Sequence, residues 1–220
     1  LPVCNEPPEV IIETIKSLLQ IDYNHYEIIV LDNNTSDESL WKPVERFCGD
    51  KEGIRFFHVP KLEGNKAGAL NRCIKHMDAQ SEYIWVVDAD YIVKPEILDV
   101  CVNIAEDQKT DLLQFPQSYR NTSRTSTLNL EYSSYFKVFM NMANWLRCVL
   151  STGTLSFIRC GTLVQPHRFT VLLTDGTVLP FTASDLRHSH SRRSDAAHLE
   201  PALHQKLLQR AEQQLCLHLK

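Results

Sequence analysis

The segment that decides the fold reads EIIVLDNNTSDES over residues 27–39. Its first half is a short, continuous apolar run that ends in an acid, Asp32, which is typical of a strand buried on both faces of a parallel sheet. The polar residues that follow form a turn, in which Thr35 and Glu38 have the spacing of a capping box. We therefore predict a strand, a turn and then a helix that runs to about Cys48.

Strand and helix patterns alternate on both sides of this segment. Further helices are predicted at residues 8–20, 67–77 and 95–106, and further strands at 54–59, 83–87 and 111–115. Such alternation predicts an α/β fold with a mainly parallel sheet and helices on both faces. Sheets of this kind bind ligands beyond the carboxyl ends of their strands.

The composition bounds the class of protein. With 220 residues, 43% hydrophobic and 23% charged, the chain is typical of one soluble domain, or of a domain with an appendage. A net charge of −4 excludes a general nucleic-acid binder, and seven scattered cysteines favour a reducing compartment. No apolar run could span a bilayer and no export leader is present, so we expect this chain by itself to be soluble and cytoplasmic. Its first residue, Leu1, is not Met, which indicates a fragment or a processed product.

The amino-acid composition and the charge balance change near residue 160. The last part carries seven Lys/Arg and five Asp/Glu, a net +2, whereas residues 1–159 carry 16 and 22, a net −6. We predict that residues 1–159 form one coherent part and that residues 160–220 form an atypical, poorly defined tail. Within the tail, an Asp-Gly turn predicts a hairpin at 170–180. Apolar residues at every fourth position, all leucine except Ala211, predict an amphipathic helix at about 199–219.

Two acids follow the strand predicted at residues 83–87. Asp88 and Asp90 stand one residue apart, where irregular backbone lets both side chains converge on one cation. Hard oxygen ligands suit Mg²⁺ or Mn²⁺, which complete their shells with water and a diphosphate. Chance alone gives roughly one Asp-x-Asp pair in such a chain. The buried strand before this pair strengthens the interpretation, because acids at a strand mouth are costly unless a cation meets them.

Two other stretches precede predicted helices. Asn5 and Glu6 come before the first helix, whose N-terminus can meet a phosphate or a uracil carbonyl; an ordinary helix cap is the alternative. The block GNKAGALN at 64–71 puts Lys66 at a helix start, beside anionic ligand atoms, and Gly68 would let this helix approach another backbone. The chain has neither a Walker A loop nor a Gly-x-Gly-x-x-Gly motif.

Several motifs occur in a recognisable order. They are PVCNEP at 2–7, VLDNNT at 30–35, LWKPVE at 40–45, FFHV at 56–59, KAGALN at 66–71, DADY at 88–91 and QFPQ at 114–117. Together they resemble the family 2 glycosyltransferases of the GT-A fold, and within that family the processive, cellulose-synthase-like membrane enzymes of polysaccharide biosynthesis. The likeness covers about residues 2–159.

The resemblance implies a metal-dependent, inverting transfer of a hexose from a UDP-sugar to a growing glycan or other hydroxyl acceptor. It implies a donor site with these residues: Asn5 and Glu6 in the nucleotide pocket, Asp32 at the uracil or ribose, Lys66 beside the nucleotide, Asp88 at the donor sugar and Asp90 on the metal. Mg²⁺ or Mn²⁺ would neutralise the charge on the leaving diphosphate.

The resemblance is weaker on the acceptor side. Residues 117–120 resemble a Gln-x-Tyr-Arg stretch and residues 152–154 a small-residue turn near the acceptor sugar; the residues carried over are Gln117, Arg120, Thr152, Gly153 and Thr154. The Thr-Glu-Asp motif of the general base and the Gln-x-x-Arg-Trp motif do not follow. We therefore assign no catalytic base, and the resemblance implies a chain truncated after about residue 159. The resemblance also implies full-length relatives that are membrane-embedded, with this domain at the cytosolic face.

Two other classes of function stay open. The first is a non-catalytic nucleotide-sugar-binding or protein-interaction domain whose tail helix recruits a partner. The second is a metal-dependent nucleotidyltransferase, which fits less well because its Gly-rich loop is absent.

Residues 128–150 are rich in apolar side chains on more than one face, which predicts a buried helix over the donor site, with a membrane-surface helix as the alternative.

Overall fold

The computed structural model describes residues 1–119, 127–145, 151–162 and 218–219. The helices are α1 (Pro8–Leu18), α2 (Glu38–Gly49), α3 (Asn65–Ile74), α4 (Ile97–Asp107), α5 (Thr127–Ser134) and α6 (Met140–Trp145), with a π-helical turn at Tyr135–Phe139. The strands are β1 (Pro2–Val3), β2 (Ile28–Asn33), β3 (Ile54–Val59), β4 (Tyr83–Val86), β5 (Tyr91–Ile92), β6 (Leu112–Gln114), β7 (Ser118–Tyr119), β8 (Ser156–Arg159) and β9 (His218–Leu219). The predicted alternation of strand and helix is confirmed.

The first sheet consists of three parallel strands in the order β1-β2-β3. Val30 and Leu31 have no exposed surface, as the continuous apolar run of β2 predicts. Val3 pairs with Asp32, and Asp32 pairs with His58, so the three strands end side by side. The loops that follow them open at one edge of the sheet, where α/β folds bind their ligands.

The second sheet is antiparallel, in the order β4-β8-β6, and here the fold departs from a parallel arrangement. Phe157 of β8 pairs with Trp85 on one side and with Leu113 on the other. The sequence analysis did not predict β8, whose place in the sheet depends on pairing with strands far away in the sequence. Just before β8, the Leu155 N–H donates to the Val86 carbonyl oxygen at 2.6 Å, which holds the preceding turn at the end of β4.

One apolar core joins the helices to both sheets. It contains Ile15 of α1, Val30 of β2, Val44 of α2, Cys101 of α4 and Phe157 of β8, all at most 3% exposed. This core is shared by elements from residue 3 to residue 157.

Helix α2 begins differently from the prediction. Its N-cap is Asp37, whose carboxylate accepts a hydrogen bond from the Ser39 N–H at 2.9 Å. The predicted capping box of Thr35 and Glu38 is wrong, because Thr35 donates its hydroxyl to Asp32 instead. This exchange ties the loop after β2 to the strand end.

Most of the predicted tail structure, including the hairpin at 170–180, lies outside the described residues. The end of the helix predicted at about 199–219 is wrong, since His218–Leu219 form β9. This strand pairs antiparallel with β5 and parallel with β7. Ladder hydrogen bonds to two neighbouring strands satisfy its backbone in place of helical ones.

The segment 127–145 is helical, as predicted, but it is not buried along its length. Its buried side chains are Phe136, Met140 and Ala143, and its exposed apolar side chains include Leu130, Val138, Phe139, Met142 and Trp145. The prediction of a buried helix therefore holds for one face alone. Within the described part of the chain, no helix has the length and apolar character needed to cross a membrane.

Candidate functional site

The loop after β1 contributes the first candidate residues. Asn5 has a φ of 54°, a conformation that asparagine tolerates better than most residues. Its backbone N–H donates to the Thr35 hydroxyl oxygen at 2.9 Å, so this loop contacts the loop after β2. The Asn5 and Glu6 side chains are exposed at this edge of the sheet, where a ligand could reach them.

Asp32 is held by two partners at the end of β2. The Thr35 hydroxyl donates to Oδ1 at 2.6 Å, and Nδ1 of His58 lies 2.7 Å from Oδ2. Because a carboxylate only accepts hydrogen bonds, Nδ1 carries the proton. The indole of Trp41 stacks on the imidazole, with ring centroids 4.1 Å apart. Asp32 is only 2% exposed. A nucleoside could bind its carboxylate only through the lone pairs that Thr35 and His58 do not use.

Asn34 connects the loop after β2 to the loop before α3. Its φ is 60°, and its amide pairs with the backbone of Leu62: Nδ2 donates to the carbonyl oxygen at 2.9 Å, and Oδ1 accepts from the N–H at 2.7 Å. Sequence reasoning treated Asn34 only as a turn residue. The contact fixes the approach of the chain to α3, and hence the position of Lys66.

Lys66 lies in the first turn of α3. Gly64 caps this helix with a φ of 86°, and its carbonyl oxygen accepts from the Gly68 N–H at 2.9 Å. A Cβ at Gly68 would overlap the carbonyl oxygen of Glu63, so the predicted close backbone approach is confirmed. From this position the Lys66 ammonium forms an ion pair with Oδ1 of Asp88.

Asp88 and Asp90 are both partly buried beyond the end of β4. Burial raises the pKa of the Asp90 carboxyl, and the negative charge of Asp88 adds to the rise. Among the described residues no three His, Cys, Asp or Glu side chains form a metal cluster, so this loop offers two carboxylates. Mg²⁺ and Mn²⁺ are commonly held by one or two carboxylates together with substrate phosphates. The residues present fit such an ion when a diphosphate completes its shell.

The acceptor-side candidates gather around Gln114, which sequence reasoning had quoted only as part of a motif. Its Oε1 accepts from the Thr152 N–H and its Nε2 donates to the Thr154 carbonyl oxygen, both at 3.0 Å. Gln117 donates to the Thr152 hydroxyl at 3.4 Å, and Gly153 turns the chain with a φ of 79°. This turn lies beside the end of β4, and β4 ends two residues before Asp88. Arg120 lies outside the described residues.

A cavity of about 500 Å³ lies elsewhere in the fold, near the start of β2 and along β4. Its lining includes Leu18, Ile28, Tyr83, Trp85 and Leu98, and none of the candidate residues. The candidate site is instead an open edge formed by strand ends and loops.

Comparison with known proteins decides the family. Residues 1–163 match the sequence profile of glycosyl transferase family 2. The chain belongs to this family. It is 34% identical over 94 residues to the poly-beta-1,6-N-acetyl-D-glucosamine synthase of Staphylococcus aureus strain COL, a match that covers 42% of this chain and 21% of the relative. It is 27% identical over 106 residues to the glycosyltransferase GlyG of Streptococcus pneumoniae serotype 4, covering 47% and 33%. The matched part thus spans about a fifth to a third of the length of these two relatives.

Solved structures of glycosyltransferases confirm the GT-A fold. The mannosyltransferase PcManGT from Pyrobaculum calidifontis, solved in complex with GDP-Man and Mn²⁺, superposes with a TM-score of 0.56 at 20% identity, over 76% of this chain and 45% of that one. S. aureus TarS 1-349 superposes with a TM-score of 0.54 at 19% identity, over 84% and 51%. At these identities the likeness concerns the fold.

Proposed function

We propose that residues 1–159 of this family 2 chain form the donor-binding part of a metal-dependent, inverting hexosyltransferase that uses a UDP-sugar. The observation that carries the proposal is the Lys66–Asp88 ion pair, with Asp90 two residues further on. The side chains of Asn5 and Glu6 are exposed after β1. A cation paired with one of two acids in the same loop suits a ligand that brings both a diphosphate and a divalent ion.

Each residue has a role in this proposal. Lys66 supplies positive charge to the diphosphate, Asp88 orients Lys66 and faces the donor sugar, and Asp90 binds the metal. Mg²⁺ or Mn²⁺, when bound, neutralises the charge that develops on the leaving diphosphate. An acceptor hydroxyl oxygen attacks the anomeric carbon, the bond from that carbon to the phosphate oxygen breaks, and the hydroxyl proton passes to a base. No residue of this chain is assigned as that base.

The acceptor class is also part of the proposal. A relative that synthesises poly-beta-1,6-N-acetyl-D-glucosamine, together with the resemblance to processive enzymes, supports a growing glycan as the acceptor. The resemblance also supports a full-length protein that works at the cytosolic face of a membrane. The Gln114 network would hold the turn at Thr152 beside the acceptor sugar.

Calorimetric titration tests the proposal. We expect UDP to bind in the presence of Mn²⁺, to bind more weakly in EDTA, and to bind more tightly than GDP. Absence of UDP binding under both conditions would discard the proposal. Turnover then separates it from a non-catalytic nucleotide-sugar-binding domain: release of UDP from UDP-glucose or UDP-N-acetylglucosamine supports the transferase, and binding without release supports the alternative.

Cysteine labelling gives an independent prediction. Cys4 is exposed next to Asn5. The pKa of its thiol is raised, first by desolvation from the atoms around it and then by the negative charges of Asp32 and Glu6. Since the thiolate is the reactive form, alkylation of Cys4 should still accelerate as the pH rises above the ordinary thiol pKa of about 8.5. UDP with Mn²⁺ should slow this alkylation, measured by mass spectrometry, and should leave the rate at the partly buried Cys160 unchanged. Equal rates at Cys4 with and without UDP would contradict the proposed nucleotide pocket.

A further inference from the structure

Helix α1 carries two buried hydroxyl groups on its core-facing side. Thr14 and Ser17 are 1% and 6% exposed, and they lie on the same buried face as Ile11, Ile15 and Leu18. Serine and threonine are weaker helix formers than leucine, and a buried hydroxyl costs free energy unless it is hydrogen-bonded. The partners of these two groups are therefore the key to their role.

Both hydroxyls bind the segment that follows β4. Thr14 Oγ1 donates to the carbonyl oxygen of Ala89 at 2.5 Å, across 75 residues of sequence. Ser17 Oγ accepts from the N–H of Val93 at 3.2 Å and donates to the carbonyl oxygen of Thr14 at 2.8 Å. Thr14 and Ser17 thus bind a carbonyl oxygen and an N–H group of the segment that follows β4.

A third contact continues the series beyond the helix. The Asp22 N–H donates to the carbonyl oxygen of Pro95 at 2.8 Å. The chain from α1 to Asp22 therefore runs alongside residues 89–95 and fixes their backbone at three points. This segment has only the two-residue strand β5 as regular structure, so side-chain contacts matter more here than in a long ladder.

We propose that Thr14 and Ser17 are positioning residues for the Asp88–Asp90 loop, a role that rests on the proposed function of this loop in metal-dependent donor binding. The Ala89 carbonyl group belongs to the peptide that joins Ala89 to Asp90, so its orientation sets the backbone from which the Asp90 carboxylate extends. The same helix begins at Pro8, two residues after Glu6. Helix α1 therefore connects the loop of Asn5 and Glu6 to the loop of Asp88 and Asp90.

Two substitutions at one position isolate the hydroxyl. Thr14→Val removes it and keeps the branched shape, whereas Thr14→Ser keeps it. We expect Thr14→Val to raise the Kd for Mn²⁺ in the presence of UDP about tenfold, the scale typical for loss of an outer-shell partner. Thr14→Ser should bind Mn²⁺ as the wild type does, and UDP binding in EDTA should be unchanged in both variants.

Free Mn²⁺ can be followed by electron paramagnetic resonance, and the loop by deuterium exchange of residues 87–95, with residues 28–33 as the reference. Weaker Mn²⁺ binding together with faster exchange of the loop in Thr14→Val supports the inference. A folded Thr14→Val protein with the wild-type Kd, or with a changed Kd and unchanged exchange, overturns it and leaves the proposed function intact. A wild-type protein that binds no Mn²⁺ with UDP overturns both. If Thr14→Val does not fold, Ser17→Ala makes the same comparison through the N–H of Val93.

Discussion

Replacing Asp90 by asparagine is expected to abolish the metal-dependent part of UDP binding. Asparagine keeps the size of the side chain but removes the negative charge that a hard divalent cation requires. The loss in UDP affinity in the presence of Mn²⁺ should exceed the ~10–100-fold that follows loss of an outer-shell partner, because Asp90 is assigned to the metal itself. Titration of UDP in Mn²⁺ and in EDTA measures both parts.

The same variant should remain folded. Burial raises the pKa of Asp90, which means that the folded state disfavours its charged form, so asparagine is not expected to lower the melting temperature. Asp107→Asn, at the exposed end of α4, is the matched control and should bind UDP as the wild type does. An Asp90→Asn protein with full Mn²⁺-dependent affinity would contradict the assignment of the metal ligand.

Gly68→Ala is expected to damage stability and donor binding together. A Cβ at this position would overlap the Glu63 carbonyl oxygen, and the tight Gly64–Gly68 turn leaves the backbone little room to yield. Overpacking of this kind typically costs about 1–3 kcal/mol. Because the start of α3 must shift, Lys66 should lose its alignment with Asp88, and each 1.4 kcal/mol lost from UDP binding lowers the affinity about tenfold. Urea unfolding and UDP titration measure the two effects.

Gly49→Ala supplies the control for this prediction. Gly49 ends α2, and nothing lies within 4 Å of the position its Cβ would occupy. Alanine there should leave UDP binding unchanged and should be neutral or stabilising by about 0.4–1 kcal/mol, since it restricts the unfolded chain. If Gly68→Ala unfolds at the same urea concentration as Gly49→Ala and binds UDP equally well, the close approach of α3 to Glu63 contributes neither to stability nor to UDP binding.

The parts of the fold that sequence reasoning predicted are those whose signals are local. The apolar run of β2 and the acids after β4 can be read within a few residues, and the structure places them as expected. Strand β8 was missed because its place between β4 and β6 depends on pairing with Trp85, far away in the sequence. The cap of α2 was misassigned because Thr35 had a stronger competing partner in Asp32.

The candidate site divides in the same way. The sequence predicted Lys66 and Asp88 separately, and their ion pair became visible only once α3 and β4 were placed. His58 gave a weak signal, a polar residue within the apolar run of β3, but its bond to Asp32 depends on strand register. The contact of Thr14 with Ala89 spans 75 residues and had no local signature at all.

A crystal grown with UDP and Mn²⁺ tests the central claim most directly. An anomalous difference map collected at the manganese edge should show one peak bonded to the Asp90 carboxylate and to the diphosphate, at about 2.0–2.6 Å from each oxygen. The nucleoside should then lie against the loops of Asn5 and Asp32. A manganese peak away from Asp90, or UDP bound in the cavity beside Trp85, would contradict the account.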